Sequence, residues 1–257
     1  MIQLGIIGWP LQHTQSPAYF DAKFKKLGIE GQYLTFPIED ISQLPEIISS
    51  HPDLIGFNVT HPYKEAIIPY LAELSPEAKA IGAVNTVKID RCENYIKLIG
   101  HNTDYYGFAE SLKPCIGQRD HNTGALILGT GGAAKAVAYA LTSLGIPFVA
   151  VSRNMDAGNY FVRHSHTVIS YDELNDDIMS GHRILINCTP LGMHPHEGEC
   201  PDIPWMLLPE NAICYDLVYN PPLTPFMTEG ARHGAAVKNG LEMLHLQAEG
   251  AWKIWNR

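Results

Sequence analysis

The run Leu126-Ile-Leu-Gly-Thr-Gly-Gly-Ala-Ala-Lys-Ala-Val-Ala-Tyr-Ala-Leu-Thr-Ser-Leu144 constrains the fold more than any other part of the chain. Ala125 to Leu128 is an apolar run of strand length, Gly129 to Gly132 a tight turn, and Ala133 to Leu144 an alanine-rich helix that Gly145 stops. Gly129, Gly131 and Ala134 fit the G-x-G-x-x-G/A pattern of a dinucleotide-binding turn. Gly129 permits the turn, Gly131 lets backbone N–H groups approach a pyrophosphate, and Ala134 lets helix and sheet pack closely. The helix N-terminus then offers unpaired N–H groups and a positive dipole end to phosphates. Phe148 to Val151 reads as the next strand and completes a βαβ unit. More than a hundred residues precede this unit, so a dinucleotide domain is joined to something else.

With 257 residues the chain is long enough for two domains. A net charge of -9 argues against a nucleic-acid surface or an anionic-membrane surface. No apolar run reaches the length of a membrane span, and Met1 to Gly8 reads as a first strand, not as a signal peptide. Five scattered cysteines without a Cys-x-x-Cys pair fit buried thiols in a reducing cytoplasm.

The N-terminal part alternates strand and helix signals. Gln3 to Gly8, Tyr33 to Ile38 and Leu54 to Val59 read as strands. Ser16-Pro17 opens a helix with Phe20, Phe24 and Leu27 on one face, closed by Gly28, and Ser75-Pro76 opens another that ends at Gly82. Ala83 to Ile89 and Tyr95 to Ile99 predict a hairpin around Asp90-Arg91. A helix over Tyr105 to Leu112 leads into a loop at Lys113 to Thr123, and Leu241, Leu244, Ala248, Ala251 and Trp255 mark one face of a last helix.

Three segments carry candidate chemistry. Asn58-Val-Thr-His-Pro-Tyr-Lys64 stands where a strand ends and a helix begins, the place where open α/β sheets bind ligands. A helix dipole disfavours a cation in the first turn, which makes Lys64 a candidate to move a proton as well as an ordinary surface lysine. Asp104, in Asn102-Thr-Asp104, reads equally as a helix N-cap or as a functional carboxylate. Ser16 is a good N-cap, yet with Thr14 it also clusters hydroxyls at a helix start, where a carboxylate binds. His194-Pro-His196-Glu-Gly-Glu-Cys200 holds metal-ligand residue types without a zinc spacing, and no metal is expected there.

Taken in order, several segments resemble the shikimate dehydrogenase family over nearly the whole chain. They are Gly8-Trp-Pro-Leu-Gln-His-Thr-Gln-Ser-Pro17, Asn58 to Lys64, Ala83-Val-Asn-Thr86 and Asn102-Thr-Asp104, then the glycine turn, Asn187-Cys-Thr-Pro-Leu-Gly-Met193, Tyr215-Asp-Leu-Val-Tyr219 and Gly240-Leu-Glu-Met-Leu244 with Gln247. The resemblance implies an α/β substrate domain over residues 1–104 plus 240–257, a Rossmann-type domain over 105–239, and a cleft between them. It implies that Thr14 and Ser16 hold the carboxylate of shikimate, that Asn85, Asp104 and Gln247 hold its hydroxyls, and that Thr60 and Tyr219 lie nearby. Lys64 and Asp104 would be the catalytic pair. Gly129, Thr130, Gly131, Gly132, Ala133, Ser152, Arg153, Asn154, Thr189, Leu217 and Gly240 would hold NADP. The implied enzyme is cytoplasmic, a monomer or homodimer, and reduces 3-dehydroshikimate to shikimate in chorismate biosynthesis.

Two departures from the family pattern bear on specificity. Thr14 replaces the usual serine, which leaves quinate open as a substrate, alone or beside shikimate, with NAD as its cofactor. Ala157 stands where a second basic residue is usual, so Arg153 carries the 2′-phosphate contact by itself. No carboxylate occurs between the end of the Phe148–Val151 strand and Asp156, which favours NADP over NAD. A catalytically idle sensor of a shikimate-like ligand is the reading from another class. Retention of both Lys64 and Asp104 speaks against it.

Overall fold

The computed structural model describes residues 1–11, 14–92, 95–117, 124–155 and 159–256. Its first strands and helices are β1 (Ile2–Gly8), α1 (Ser16–Leu27), β2 (Gly31–Pro37), α2 (Leu44–Ser50), β3 (Leu54–Val59), α3 (Tyr63–Ala66), β4 (Glu73–Leu74), α4 (Pro76–Ile81), β5 (Thr86–Cys92) and β6 (Tyr95–His101). There follow α5 (Asp104–Ile116), β7 (Gly124–Leu128), α6 (Gly132–Ser143), β8 (Phe148–Val151), α7 (Asn159–Arg163), β9 (Val168–Ile169), α8 (Asp176–Ser180), β10 (His182–Asn187), β11 (Ile213–Asp216), α9 (Pro225–Arg232), β12 (Ala236–Lys238) and α10 (Leu241–Trp255). The chain forms two compact α/β units, Met1–Thr103 with Gln247–Arg257, and Asp104–Leu246.

The first unit is a mixed six-stranded sheet in the order β2-β1-β3-β5-β6-β4. β1 pairs in parallel with β2 and β3, whereas β5 runs antiparallel to both of its neighbours, β3 and β6. Side chains alternate between faces, as the period of a strand requires. Leu4 and Ile6 join the cluster of Phe20, Phe24 and Trp255, while Ile7 joins that of Phe57, Val59 and Ile67. Gly56 lacks the side chain that would strike the Trp255 ring, and the indole Nε1 donates to Val87 O at 2.9 Å. The end of the chain thus packs on the sheet that begins it.

The second unit is an all-parallel sheet in the order β12-β11-β10-β7-β8-β9. Read from the other edge this is the doubly wound dinucleotide order, in which the strand order, not the strand direction, reverses between β7 and β10. Ala125, Ile127, Ile184 and Ile186 face one core cluster, and Leu126, Leu128 and Leu185 the other, so apolar runs with both faces covered are what these strands need.

Several local expectations need correction. The strand partners Asp90 with Lys97 and Cys92 with Tyr95, so Asp90 and Arg91 lie within β5 and not in a turn, and positions 93–94 lie outside the described residues. α5 continues past Leu112 to Ile116 because Ile116 is buried in the core, with Pro114 tolerated in the last turn. Leu27 and Leu241 are exposed, whereas Met243 and Gln247 are buried, so the inner face of α10 is rotated from the one the leucines suggest.

Candidate functional site

In the first unit a buried polar network links the segments that carry the candidate residues. Asn58, at 5% exposure in β3, donates from Nδ2 to Asn85 O at 3.1 Å and to Thr86 Oγ1 at 3.2 Å. A carbonyl only accepts, so the Asn58 amide is turned with Oδ1 toward Tyr33, whose hydroxyl donates to it at 2.7 Å. Burial drives the Tyr33 hydroxyl upward in pKa, and a hydrogen bond from Ser16 opposes that shift. Asn85 Oδ1 accepts from Thr103 N at 2.7 Å and from Thr86 Oγ1 at 3.1 Å, while its Nδ2 donates to Thr103 Oγ1 at 3.0 Å and to Gln247 Oε1 at 3.3 Å. Asn85 and Gln247, far apart in sequence, thereby belong to one set of hydrogen bonds. Tyr33, Asn58, Thr86 and Thr103 complete it.

Thr14 and Ser16 divide their work differently from expectation. Gln15 occupies the cap position of α1 and Ser16 is the first helical residue. The hydroxyl that meets a helix-start N–H is that of Thr14, which accepts from Ser16 N at 3.4 Å. Ser16 is therefore not the N-cap, and it is buried close enough to Tyr33 to favour that hydroxyl's ionisation against its burial.

Thr60 and Lys64 stand on a segment clamped from both sides. Thr60 N donates to Ile7 O at 3.0 Å, Trp9 N to His61 O at 3.0 Å, and Val84 N to Lys64 O at 2.7 Å. The helix that begins here is a single turn of four residues. A macrodipole needs aligned peptides, so this turn is a weak source for the field expected at Lys64. Asp104 is buried at 6% exposure and is the first residue of α5, one past the cap position expected for it. Tyr219 is half-buried, and burial pushes its hydroxyl up in pKa.

In the second unit the glycine turn has the expected geometry. Gly129 has φ +105°, a conformation that L side chains rarely adopt, and its N–H donates to Val151 O at 2.8 Å. A Cβ on Gly131 would meet nothing within 4 Å, so the start of α6 is open to a ligand. Thr130 follows Gly129, Gly132 and Ala133 begin the helix, and Ala134 is buried against the sheet. Ser152 is buried, and its Oγ donates to Asn154 O at 2.8 Å, shaping the turn that leaves Arg153 exposed. The Arg153 charge reaches Tyr171, where it opposes the burial that pushes that hydroxyl up to about 12. Ala157 lies outside the described residues.

The loops after β10 and β11 are tied through Asp216. Asn187 Nδ2 donates to Asp216 Oδ1 at 3.0 Å, and Asn187 Oδ1 accepts from Thr189 Oγ1 at 2.6 Å. Burial raises the Asp216 carboxyl to about 6, against hydrogen bonds from Thr224, Val218 and Asn187 that favour its charge. Gly240 lies against Leu217 O, where a side chain would clash, and its N–H donates to Val218 O at 3.1 Å. In the loop His194–Cys200, His194 pairs with Glu197 at 2.9 Å and His196 with Glu199 at 2.8 Å. Among the described residues no group of three or more metal-ligating side chains comes together, and no helix is long and apolar enough to cross a membrane.

Residues 6–87 match the family model of the shikimate dehydrogenase substrate binding domain. The chain is 40% identical to the shikimate dehydrogenase (NADP(+)) of Crocosphaera subtropica, over 98% of this chain and 90% of that protein. It is also 40% identical to the protein of the same name from Carboxydothermus hydrogenoformans, with the same coverage. Among solved structures it resembles shikimate 5-dehydrogenase from Thermus thermophilus in complex with NADP(H) and shikimate. The TM-score is 0.85 at 34% identity, covering 99% of this chain and 93% of that one.

Proposed function

The chain belongs to the shikimate dehydrogenase family, and from that premise we propose that it is an NADP-dependent oxidoreductase reducing 3-dehydroshikimate reversibly to shikimate, a step toward chorismate and the aromatic amino acids. The observation that carries this reading is the buried network joining Asn58, Asn85, Thr103 and Gln247. A polyhydroxylated acid needs hydroxyl donors for its carboxylate and amides for its alcohols, and neutral amides serve neutral hydroxyls without the desolvation cost of a charge.

Thr14 and Ser16 hold the carboxylate; Asn85, Asp104 and Gln247 hold the hydroxyls, with Thr60 and Tyr219 beside them. Lys64 gives a proton to the carbonyl oxygen as the ketone is reduced and takes it back in oxidation. Asp104 accepts a hydrogen bond from the same hydroxyl and keeps the ammonium oriented. The fit of the second unit to a dinucleotide rests on the open start of α6 at Gly131, the positive φ of Gly129 and the exposed guanidinium after β8. NADP supplies the hydride chemistry when bound. Gly129 to Ala133 offer backbone N–H groups to its phosphates. Arg153 pairs with the 2′-phosphate, beside Ser152 and Asn154, while Thr189, Leu217 and Gly240 border the same crevice. The enzyme works in the cytoplasm as a monomer or homodimer.

Incubating the protein with shikimate and NADP, and separately with quinate and NAD, while following reduced nicotinamide tests the reading. Faster reduction with shikimate and NADP is expected. Faster reduction with quinate and NAD would make it a quinate enzyme, and no reduction in either mixture would leave a binding protein.

A further inference from the structure

Asp216 is wholly buried at the end of β11, and among the described residues no lysine or arginine forms an ion pair with it. A buried carboxylate without a cation costs stability even when hydrogen-bonded. Three donors converge on it. Oδ1 accepts from Asn187 Nδ2 at 3.0 Å and from Val218 N at 2.9 Å, and Oδ2 accepts from Thr224 Oγ1 at 2.6 Å. An acceptor-only group satisfies all three, whereas an amide would turn a donor toward at least one of them.

The consequence reaches the glycine turn. Asn187 Nδ2 also donates to Leu191 O at 3.2 Å, so both of its partners are pure acceptors and its Oδ1 must face the other way. That oxygen takes Thr189 N at 3.0 Å and Thr189 Oγ1 at 2.6 Å. The Thr189 proton is thereby committed, and its Cγ2 is fixed 3.2 Å from where a side chain on Gly129 would begin. On the other side, Val218 N is held by Asp216 while Val218 O accepts from Gly240 N, and Thr224 caps α9. One carboxylate sets the loops that follow β10 and β11, the two strands next to β7 on one side of the topological switch. We infer that Asp216 is a positioning residue for the dinucleotide, acting through Asn187 and Thr189 on the glycine turn; the inference rests on the proposed NADP reading. It also assigns Thr189 a packing role, with its methyl against the turn and its hydroxyl directed away.

The test is the NADP dissociation constant of wild type, Asp216→Asn and Thr189→Val, measured by direct titration without shikimate, alongside melting temperatures and the KM for shikimate. Asp216→Asn is expected to weaken NADP binding about tenfold, the loss of one bond to a charged group, with an equal or higher melting temperature and an unchanged KM for shikimate. Thr189→Val keeps the methyl and loses the bond to Asn187, so roughly threefold weakening is expected, and it decides the matter if Asp216→Asn does not fold. Undiminished NADP affinity in the folded variants overturns the inference while leaving the function intact. A lowered melting temperature with both ligands weakened in proportion would make Asp216 merely structural. A wild type that does not bind NADP overturns the functional reading and this inference with it.

Discussion

The two units organise their polar interiors in opposite ways. The first is built around neutral amides, Asn58 and Asn85, each of which both donates and accepts. The second is built around a carboxylate, Asp216, which only accepts. A neutral network tolerates burial cheaply and can offer donors and acceptors to hydroxyl groups of either polarity. A buried carboxylate is costly and sensitive to pH, but it forces each neighbour into a single orientation. The difference suits the two ligands. Shikimate presents alcohols, whereas a dinucleotide lies against backbone, so its site depends on loops being held in place.

We propose that substrate recognition falls mainly to the first unit and cofactor choice to the second, and substitutions can break that division. The largest effect is expected from Lys64→Ala, which should cut kcat by about 10²–10⁴ with far less change in KM for shikimate. Asp104→Asn should also be severe, about a hundredfold in kcat, because an amide does not stabilise an ammonium as a carboxylate does. Near-normal turnover in Lys64→Ala, or an Asp104→Asn enzyme as active as wild type, would remove those residues from the mechanism. Ser16→Ala should raise KM for shikimate about tenfold and leave that for NADP unchanged. A lower melting temperature with unchanged kinetics would show that the Ser16 hydroxyl serves Tyr33 alone. On the cofactor side, Arg153→Ala should weaken NADP use about tenfold and spare NAD. Equal loss with both cofactors would mean that the guanidinium does not read the 2′-phosphate.

The smallest effect is a pH dependence confined to the second unit. The folded Asp216 carboxyl, at about 6, lies above its ordinary value of 3.8, so the native state holds the extra proton. Its stabilising contribution is fully present below about 4 and is lost as pH rises through about 6. Asp216→Asn removes that loss. Its melting temperature relative to wild type should therefore climb between about pH 4 and 7. The Cys188, Cys200 and Cys214 thiols near this carboxylate are pushed upward and stay protonated throughout. A flat difference would mean that Asp216 does not titrate in that window.

What is legible in the sequence is local. The glycine turn can be read because a positive φ and a close approach leave few residue choices. The helix at Ser75-Pro76 can be read because cap and stop signals lie within a few residues of each other. Ser16 does start a helix, but the cap position falls one residue earlier, at Gln15, and the hydroxyl that accepts a helix-start N–H is that of Thr14. Tyr33 cannot be singled out. A tyrosine in a strand looks like any core aromatic, and it does stack on Phe20 with ring centroids 4.6 Å apart. Its role depends on Asn58, a partner 25 residues away. Asn187 and Asp216 stand inside segments shared with the family, yet only the fold brings their side chains together.

The division of labour is tested most directly by two-substrate steady-state kinetics of Gln247→Ala, Arg153→Ala and the double variant. Gln247→Ala is expected to raise only the KM for shikimate, Arg153→Ala only that for NADP, and the double variant to show both changes undiminished, since sites without shared partners act additively. If either single variant moves both constants together, the two networks do not serve separate ligands and the account fails.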